Sequence, residues 1–151
     1  MALKVGDIIP VFKAKDSKGQ DFDSQNFIGH KPLVIYFYPM DNTPGCTAQA
    51  CSFRDQYQDF TDLGAEVVGI SSDSEKSHEN FSSKHNLPFI LISDSNKKIR
   101  KLFGVPGGLF GLLPGRVTYV ANKEGKIVMI FDSMQATKHI PKALEAVKKL
   151  V

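Results

Sequence analysis

KPLVIYFYPMDNTPGCTAQAC, residues 31–51, combines a buried strand, a sharp turn and a helix start in one segment. Its first part, residues 31–39, is rich in branched and aromatic side chains and ends at Pro39, which predicts a strand buried on both faces. Thr43 and Pro44 then predict a helix start, because threonine is a favoured N-cap and proline suits the first helical position. A buried strand leading directly into a helix indicates an α/β protein.

The same alternation of strands and helices continues on both sides of this stretch. Phe53, Tyr57 and Phe60, at spacings of four and three, predict one buried face of the helix that follows Pro44. A late hairpin is predicted around the turn NKEG, and a small edge hairpin turns at Lys18-Gly19. The predicted strands cover 31–39, 65–72, 89–93, 116–121 and 126–131, the N-terminal hairpin 11–23, and the helices 44–62, 74–86, 95–103 and about 137–150.

These elements predict a single domain over residues 1–151. Strand–helix–strand units imply a parallel core, and the late hairpin adds antiparallel edges, so the sheet is expected to be mixed. The predicted fold is a three-layer α/β/α sandwich of the thioredoxin-like type with an N-terminal β-hairpin. In such sheets ligands bind beyond the carboxyl ends of the strands, which is where residues 39–46 lie.

Composition and charge exclude several classes of function. The chain has 42% hydrophobic and 23% charged residues and a net charge of +3, with its basic residues scattered, so no nucleic-acid partner is expected. Its one basic run, residues 97–101, is expected to be the solvated face of a helix. The longest apolar run, Leu33 to Tyr38, is far too short to cross a membrane, and Met1 to Asp7 lacks the apolar stretch of a secretory signal. We expect a cytoplasmic protein, with the plastid as the alternative if a transit peptide has been removed.

The first cysteine, Cys46, falls at the third position of the predicted helix. Its sulfur would lie near unpaired backbone N–H groups and the positive end of the helix dipole, which favour a thiolate and lower the thiol pKa. Gly45 would let a small ligand approach the backbone, and the free N–H groups could hold a peroxide oxygen beside the sulfur. The alternative is a capped helix in which Cys46 only packs.

The second cysteine, Cys51, follows five positions later. In an intact helix residues at this spacing are turned by about 140° and their Cα atoms lie about 8.7 Å apart. A disulfide needs Cα atoms closer than roughly 7 Å, so the helix start would have to unwind before the two sulfurs could bond. This spacing is unsuited to a permanent staple but suits a transient catalytic disulfide. The alternative is that Cys51 is a small buried helix residue.

Several motifs carry a resemblance to a known family. Pro39-x-x-x-Thr43-x-x-Cys46 resembles the active-site motif of the peroxiredoxins, and Cys51 within PGCTAQACSFRD resembles their peroxiredoxin Q, or bacterioferritin comigratory protein, subfamily. GDIIPVF, YFYP, VVGISSDS and LPGRVTYVANKEGKI extend this resemblance through most of the chain.

The resemblance implies a role for each matching position. Cys46 would be the peroxidatic nucleophile and Cys51 the resolving cysteine, while Thr43 would hydrogen-bond the peroxide and Pro39 would shield the sulfur. Arg116 would match the family's active-site arginine, which supplies a permanent cation and a fork of donors for the thiolate and the peroxide.

Neighbouring residues are expected to support the site. Gln49 is a candidate for a polar contact, and Arg54 with Asp55 for an ion pair behind the active residues. Residues 40–42 depart from the family's more charged pattern, which bears on substrate preference. The segment 103–115 lacks a phosphate-loop pattern and is expected to be a mobile apolar loop framing the site; the side chains of a possible collar for organic hydroperoxides are Leu109, Phe110, Leu112 and Leu113.

The function implied by the resemblance is a thiol-dependent peroxidase of antioxidant defence. It would reduce hydrogen peroxide and alkyl hydroperoxides through a Cys46 sulfenic acid and a Cys46–Cys51 disulfide, which thioredoxin or a similar dithiol would reduce. We expect a monomer without metal or other cofactor. None of the four histidines has a paired metal-ligand spacing, and all are expected at the surface or at helix ends: His30, His78, His85 and His139.

Two other functions remain open from the residues alone. One is a disulfide oxidoreductase acting on proteins, although the chain lacks the C-x-x-C spacing that lets two thiols meet across one helical turn. The other is a redox sensor that passes oxidation to a partner without turning over peroxide. A fold alone does not separate these functions.

Overall fold

A computed structural model describes residues 2–105 and 115–150. The strands are β1 (Lys13–Lys15), β2 (Asp21–Asp23), β3 (Leu33–Phe37), β4 (Glu66–Ser71), β5 (Ile90–Ser93), β6 (Val117–Ala121) and β7 (Ile127–Asp132). The helices are α1 (Pro44–Asp62), α2 (Glu75–His85), α3 (Lys98–Phe103) and α4 (His139–Lys148), and a 3₁₀ turn, Ala136–Lys138, leads into α4. The predicted collar of the 103–115 segment falls within 106–114, outside the described residues.

The five-stranded sheet is mixed, as predicted, with the order β5-β4-β3-β6-β7. β3, β4 and β5 are parallel neighbours, whereas β6 is antiparallel to both β3 and β7. The late hairpin adds antiparallel strands beside the parallel core, as predicted. All five residues of β6 are buried, because β6 pairs with both β3 and β7, and β7 lies at this edge of the sheet. β1 and β2 form the predicted separate N-terminal hairpin.

Helices cover both faces of the sheet and complete the predicted three layers. α1 and α4 lie on one face, where Phe53 and Phe60 of α1 are fully buried. α3 and the N-terminal hairpin cover the other face, where Phe12 and Phe103 meet edge to face. Burial of Phe53 and Phe60 helps to hold α1 against the sheet.

Gly69 of β4 makes room for an aromatic ring beneath α1. A Cβ atom at this position would lie 2.8 Å from the Tyr36 ring and 2.9 Å from Leu91. Because glycine leaves this space free, Tyr36 lies flat over β4 and stacks on Phe53 with ring centroids 4.6 Å apart. The stack packs the middle of α1 against β3.

The sheet register brings two distant segments of the chain together. Phe37, the last residue of β3, pairs with Val117, the first residue of β6. Because these strands are antiparallel, Arg116 enters the sheet beside the loop that joins β3 to α1. This places Arg116 at the same end of the sheet as residues 39–46, which is the position predicted for the site.

Candidate active site

Cys46 lies in the first turn of α1. The helix begins at Pro44, so Cys46 is its third residue, as predicted. Its side chain is buried, with 1% exposed, while Cys51 is half-buried, and both are free thiols. The first-turn N–H groups of a helix have no intrahelical acceptor, so the sulfur lies in a region of positive potential.

Arg116 contacts the sulfur directly. Its Nη2 lies 3.3 Å from Cys46 Sγ, and its Nη1 donates to Gln49 Oε1. Only 4% of Arg116 is exposed, so this contact is shielded from solvent and acts at low dielectric. A buried guanidinium needs a compensating negative charge, which the Cys46 thiolate can supply. The guanidinium therefore places a positive charge directly beside the sulfur.

Gly45 makes the close approach of Arg116 possible. A Cβ atom at position 45 would lie 3.1 Å from Arg116 Nη2 and 4.0 Å from Ala136 Cβ, an ordinary van der Waals distance. The guanidinium therefore uses space that any larger side chain at this position would restrict. The sequence predicted that Gly45 opens the backbone to a small ligand, and the structure adds this steric reason.

Three buried polar groups around this pair have no hydrogen-bond partner among the described residues. They are Gln49 Nε2, Arg116 Nε and the hydroxyl of Tyr36. Burial, with the negative charge of Cys46 acting in the same direction, raises the pKa of Tyr36 well above its usual value, so its hydroxyl keeps its proton. Unpaired buried donors are costly, so each of these three groups has unused capacity for a hydrogen bond.

Thr43 occupies the predicted N-cap position, but its side chain does not cap the helix. Its hydroxyl donates instead to the carbonyl oxygen of Met40, at 3.0 Å. The hydroxyl hydrogen is thereby directed away from the helix, which leaves the oxygen lone pairs available as acceptors. The first-turn N–H groups also remain uncapped by this side chain, so they are available to a ligand.

The other predicted site residues lie further from the sulfur. Pro39 is half-buried in the loop after β3. Arg54 forms the predicted ion pair with Asp55, at 3.0 Å, but the pair is partly exposed to solvent. Arg54 also donates to the carbonyl oxygen of His85, at 2.8 Å, and so links α1 to the end of α2. Neither of these two contacts of Arg54 involves Cys46 or Arg116.

One histidine corrects the prediction of surface or helix-end positions. His78 is fully buried within α2, whereas His139 lies at the start of α4, as predicted, although it too is fully buried. His78 contacts Asp41 in the loop between β3 and α1. One potential metal-ligand atom from each of Asp41, Asp73 and His78 lies within 4.8 Å of the other two. The burial of His78 was not predicted, because most of its neighbours on α2 are polar. The packing of α2 on the sheet shows which face of the helix is buried.

His139 joins the start of α4 to the strand that follows Arg116. Its Nδ1 lies 2.7 Å from Thr118 Oγ1, and its Nε2 lies 2.6 Å from the carbonyl oxygen of Ser133. A neutral ring satisfies both contacts, with Nε2–H donating to Ser133 and Nδ1 accepting from Thr118. Burial lowers the pKa of His139 to about 4; the charge of Arg116 acts in the same direction, and the hydrogen bond to Ser133 opposes it.

We expect this histidine to make the protein less stable in acid. Unfolded histidine has a pKa of about 6.5, so between pH 6.5 and pH 4 the unfolded chain binds a proton that the folded protein does not. The free energy of unfolding of the wild type should therefore fall by about 2–3 kcal/mol relative to that of His139→Gln across this window. Urea unfolding of both proteins from pH 7 to pH 4 measures this, and a parallel decline of the two would contradict it.

The chain belongs to the AhpC/TSA family, because the sequence model of that family matches residues 5–130. The fold and this match define the protein as a peroxiredoxin, a thiol-dependent peroxidase. It is 50% identical to the chloroplastic peroxiredoxin Q of Sedum lineare over 146 residues, which are 96% of this chain and 78% of that protein. It is 51% identical to the chloroplastic peroxiredoxin Q of Populus jackii, with 96% and 68% of the two chains covered.

Solved structures agree with this assignment. A peroxidoxin from Mycobacterium tuberculosis superposes with a TM-score of 0.90 at 32% identity, over 99% of each chain. The bacterioferritin comigratory protein of Xanthomonas campestris superposes with a TM-score of 0.83 at 33% identity, over 91% of this chain and 90% of that one. The predicted resemblance to peroxiredoxin Q and the predicted thioredoxin-like fold are both confirmed. Among the residues in ranges 2–105 and 115–150, no helix has the length and apolar character needed to span a bilayer.

Proposed function

We propose that Cys46 is the peroxidatic cysteine and that it reduces hydrogen peroxide and alkyl hydroperoxides. The observation that carries this proposal is the buried contact of 3.3 Å between Arg116 Nη2 and Cys46 Sγ, in the first turn of α1. A cation and a helix N-terminus act on the same sulfur, and the thiolate is the nucleophilic form of cysteine.

The proposed reaction breaks the oxygen–oxygen bond of the peroxide. The Cys46 thiolate attacks the terminal oxygen of ROOH, a sulfur–oxygen bond forms, and RO⁻ leaves with the electron pair of the broken bond. RO⁻ is protonated to an alcohol, or to water when R is hydrogen, and Cys46 becomes a sulfenic acid. Negative charge moves from the sulfur to the leaving oxygen during the reaction. Arg116 stabilises this charge at both positions, and its interaction with the leaving oxygen strengthens in the transition state.

Thr43 is proposed to hold the peroxide for this attack. Because its hydroxyl donates to Met40, its lone pairs can accept the hydrogen of the peroxide O–H group. The unpartnered donors of Arg116 and Gln49 offer hydrogen bonds to peroxide oxygens on the guanidinium side. Acceptor and donors together would fix the orientation of the O–O bond relative to the sulfur.

Cys51 is proposed to resolve the sulfenic acid. The first turns of α1 unwind, the Cys51 thiol attacks the oxidised sulfur of Cys46, and a disulfide forms with release of water. Peroxiredoxins in general use reductants of the thioredoxin type, and we propose that such a dithiol reduces this disulfide to two thiols. Cys51 is half-buried, so its sulfur needs only a local opening to move.

Replacing Cys51 by serine tests this division of roles. Cys51→Ser should keep the wild-type rate of the first oxidation, because Cys46 and Arg116 are unchanged. Turnover with thioredoxin as the reductant should fall by at least about tenfold, since no intramolecular disulfide can form. Stopped-flow oxidation by one equivalent of peroxide and a coupled thioredoxin assay measure the two steps, with Ser52→Ala as the neighbouring control. Wild-type turnover of Cys51→Ser would exclude the resolving role and leave the role of Cys46 intact.

The substrate range, assembly and location form the remainder of the proposal. The Xanthomonas campestris protein is described by its alkyl peroxide reduction activity, which supports alkyl hydroperoxides as substrates here. We infer a single domain over residues 1–151 that works as a monomer, because both cysteines lie on one helix and can react within one chain. The chloroplastic relatives support the plastid over the cytoplasm as the location.

A further inference from the structure

A buried hydrogen-bond cluster anchors the loop between β3 and α1. Asp41 in this loop is 4% exposed, and His78 of α2 is fully buried. Asp41 Oδ2 lies 2.6 Å from His78 Nδ1 and accepts from Ser77 Oγ at 2.9 Å, while its Oδ1 accepts from the Tyr38 hydroxyl at 2.6 Å. The backbone N–H of Asp41 donates to Asp73 Oδ2, at 2.8 Å. Side-chain and main-chain groups of one loop residue are thus held by three different segments.

Both ring nitrogens of His78 make a hydrogen bond. Nδ1 shares a hydrogen with the Asp41 carboxyl group, and Nε2 faces the carbonyl oxygen of Ile92 at 3.0 Å. A carbonyl oxygen can only accept, so Nε2 donates to Ile92, and the ring is held between Asp41 and β5. Burial raises the pKa of Tyr38 well above its usual value, with nearby negative charge adding to the effect, so its hydroxyl remains a donor to Asp41.

This cluster has the composition of a metal site but the contacts of a hydrogen-bond network. The potential ligand atoms of Asp41, Asp73 and His78 lie within 4.8 Å of one another. However, Asp41 accepts three hydrogen bonds, and Asp73 Oδ2 accepts from the Ser71 hydroxyl and the Asp41 N–H. Most of the lone pairs that a cation would use are therefore already occupied by hydrogens.

The cluster connects to the proposed chemistry through the main chain. Met40, which precedes Asp41, supplies the carbonyl oxygen that accepts the hydroxyl hydrogen of Thr43, at 3.0 Å. Asn42, which follows Asp41, has a φ of 63°, a left-handed conformation that turns the chain into α1 and that asparagine tolerates. Fixing Asp41 therefore fixes the Met40 carbonyl on one side and the approach to Thr43 on the other.

We propose that the Asp41–His78 pair is a positioning element for peroxide binding. It holds the Met40 carbonyl, the carbonyl sets the rotation of the Thr43 hydroxyl, and the hydroxyl presents its lone pairs to the peroxide. This inference rests on the proposed roles of Thr43 and Cys46. Arg116 and the helix dipole, which act on the sulfur itself, lie outside this chain of contacts, so the pair governs how peroxide is held and not whether the thiol is ionised.

Asp41→Asn and His78→Gln test the proposal with two probes of the same sulfur. The rate constant of Cys46 oxidation by hydrogen peroxide should fall by about 10- to 100-fold, because a misplaced binding group removes the preferred orientation of the O–O bond. The rate of Cys46 alkylation by iodoacetamide, which needs the thiolate but no peroxide-binding groups, should stay within about twofold of the wild type. Tyr38→Phe, which removes one donor to Asp41 and keeps the ring, should show a smaller loss of oxidation and the same unchanged alkylation. His30→Gln, at an exposed histidine, is the matched control.

Each alternative has its own outcome. If both rates match the wild type in correctly folded Asp41→Asn and Tyr38→Phe, the cluster is only structural; if both fall together, it acts on the thiolate. If a chelator slows oxidation of the wild type and added zinc or manganese restores it, the cluster is a metal site. Any of these results overturns the proposal.

A measurement on His78 itself needs no turnover. In ¹⁵N NMR of the wild-type protein the ring nitrogens of His78 should show the hydrogen bonds to Asp41 and to the Ile92 carbonyl, and Asp41→Asn should change the signal of Nδ1 while leaving that of Nε2 in place. Absence of the hydrogen bond to Asp41 in the wild type would overturn the pairing, whatever the activity. Peroxidase activity in Cys46→Ser would instead contradict the proposed function, so the two failures are distinguishable.

Discussion

Cys46→Ser will have no measurable peroxidase activity, a loss of at least about 10⁴-fold. A serine hydroxyl is not ionised at neutral pH, and its oxygen cannot take the place of the thiolate as a nucleophile toward peroxide. It also removes the negative charge that faces Arg116 Nη2 at 3.3 Å, so the buried guanidinium loses its compensating partner. The measurement is peroxide consumption with thioredoxin and thioredoxin reductase under conditions that saturate the wild type.

Cys51→Ser is the matched control for this substitution, because it removes the other sulfur of the same helix. It should still consume one equivalent of peroxide per chain, whereas Cys46→Ser should consume none. A single turnover by Cys46→Ser would mean that Cys51 is the peroxide-reactive sulfur and would reverse the proposed roles. The wild type should also fail to reduce insulin without peroxide, which separates the peroxidase from a protein disulfide oxidoreductase.

Local signals in the sequence predicted most of the fold. The helix predicted over 44–62 is α1 with both ends correct, and Thr43-Pro44 is the local signal that marks its start. The hairpin that contains β6 was also predicted, but its place in the sheet was not. A hairpin fixes which two strands are neighbours, and nothing local says that β6 also pairs with β3.

The candidate site also contains residues that a local motif predicted and residues that only the packing of distant segments brings together. Cys46, Thr43 and Gly45 follow from a motif contained in one turn and one helix start. The Asp41–His78 pair joins residues 37 positions apart, and its existence depends on how α2 packs against the end of β4. The Thr43 hydroxyl donates to Met40 and its oxygen does not accept from a first-turn N–H, and threonine at an N-cap position does not reveal which of these hydrogen bonds forms.

Arg116→Met should slow the oxidation of Cys46 by peroxide about 10²- to 10³-fold, the range seen when one buried donor to developing charge is lost. Methionine has a similar length and no charge, so it tests the guanidinium while filling much of its volume. The variant loses the donor to Cys46 and leaves Gln49 Oε1 without its partner. Arg116→Lys should recover only part of the rate, because one ammonium cannot reproduce the fork that serves sulfur and amide together. Arg54→Met, at the partly exposed arginine of the same helix as Cys46, is the control and should oxidise at the wild-type rate.

Alkylation by iodoacetamide separates Arg116 from the Asp41–His78 pair. Arg116 acts on the sulfur, so in Arg116→Met both alkylation and peroxide oxidation should slow, with peroxide oxidation slowing more because it also loses stabilisation of the leaving oxygen. In Asp41→Asn oxidation alone should slow. If Arg116→Met alkylates and oxidises at wild-type rates, the 3.3 Å contact makes no contribution to reactivity, and the nucleophilicity of Cys46 must come from the helix start alone. If peroxide oxidation slows in Arg116→Met but alkylation does not, Arg116 binds peroxide without stabilising the thiolate. Its role is then peroxide binding, as proposed for Thr43.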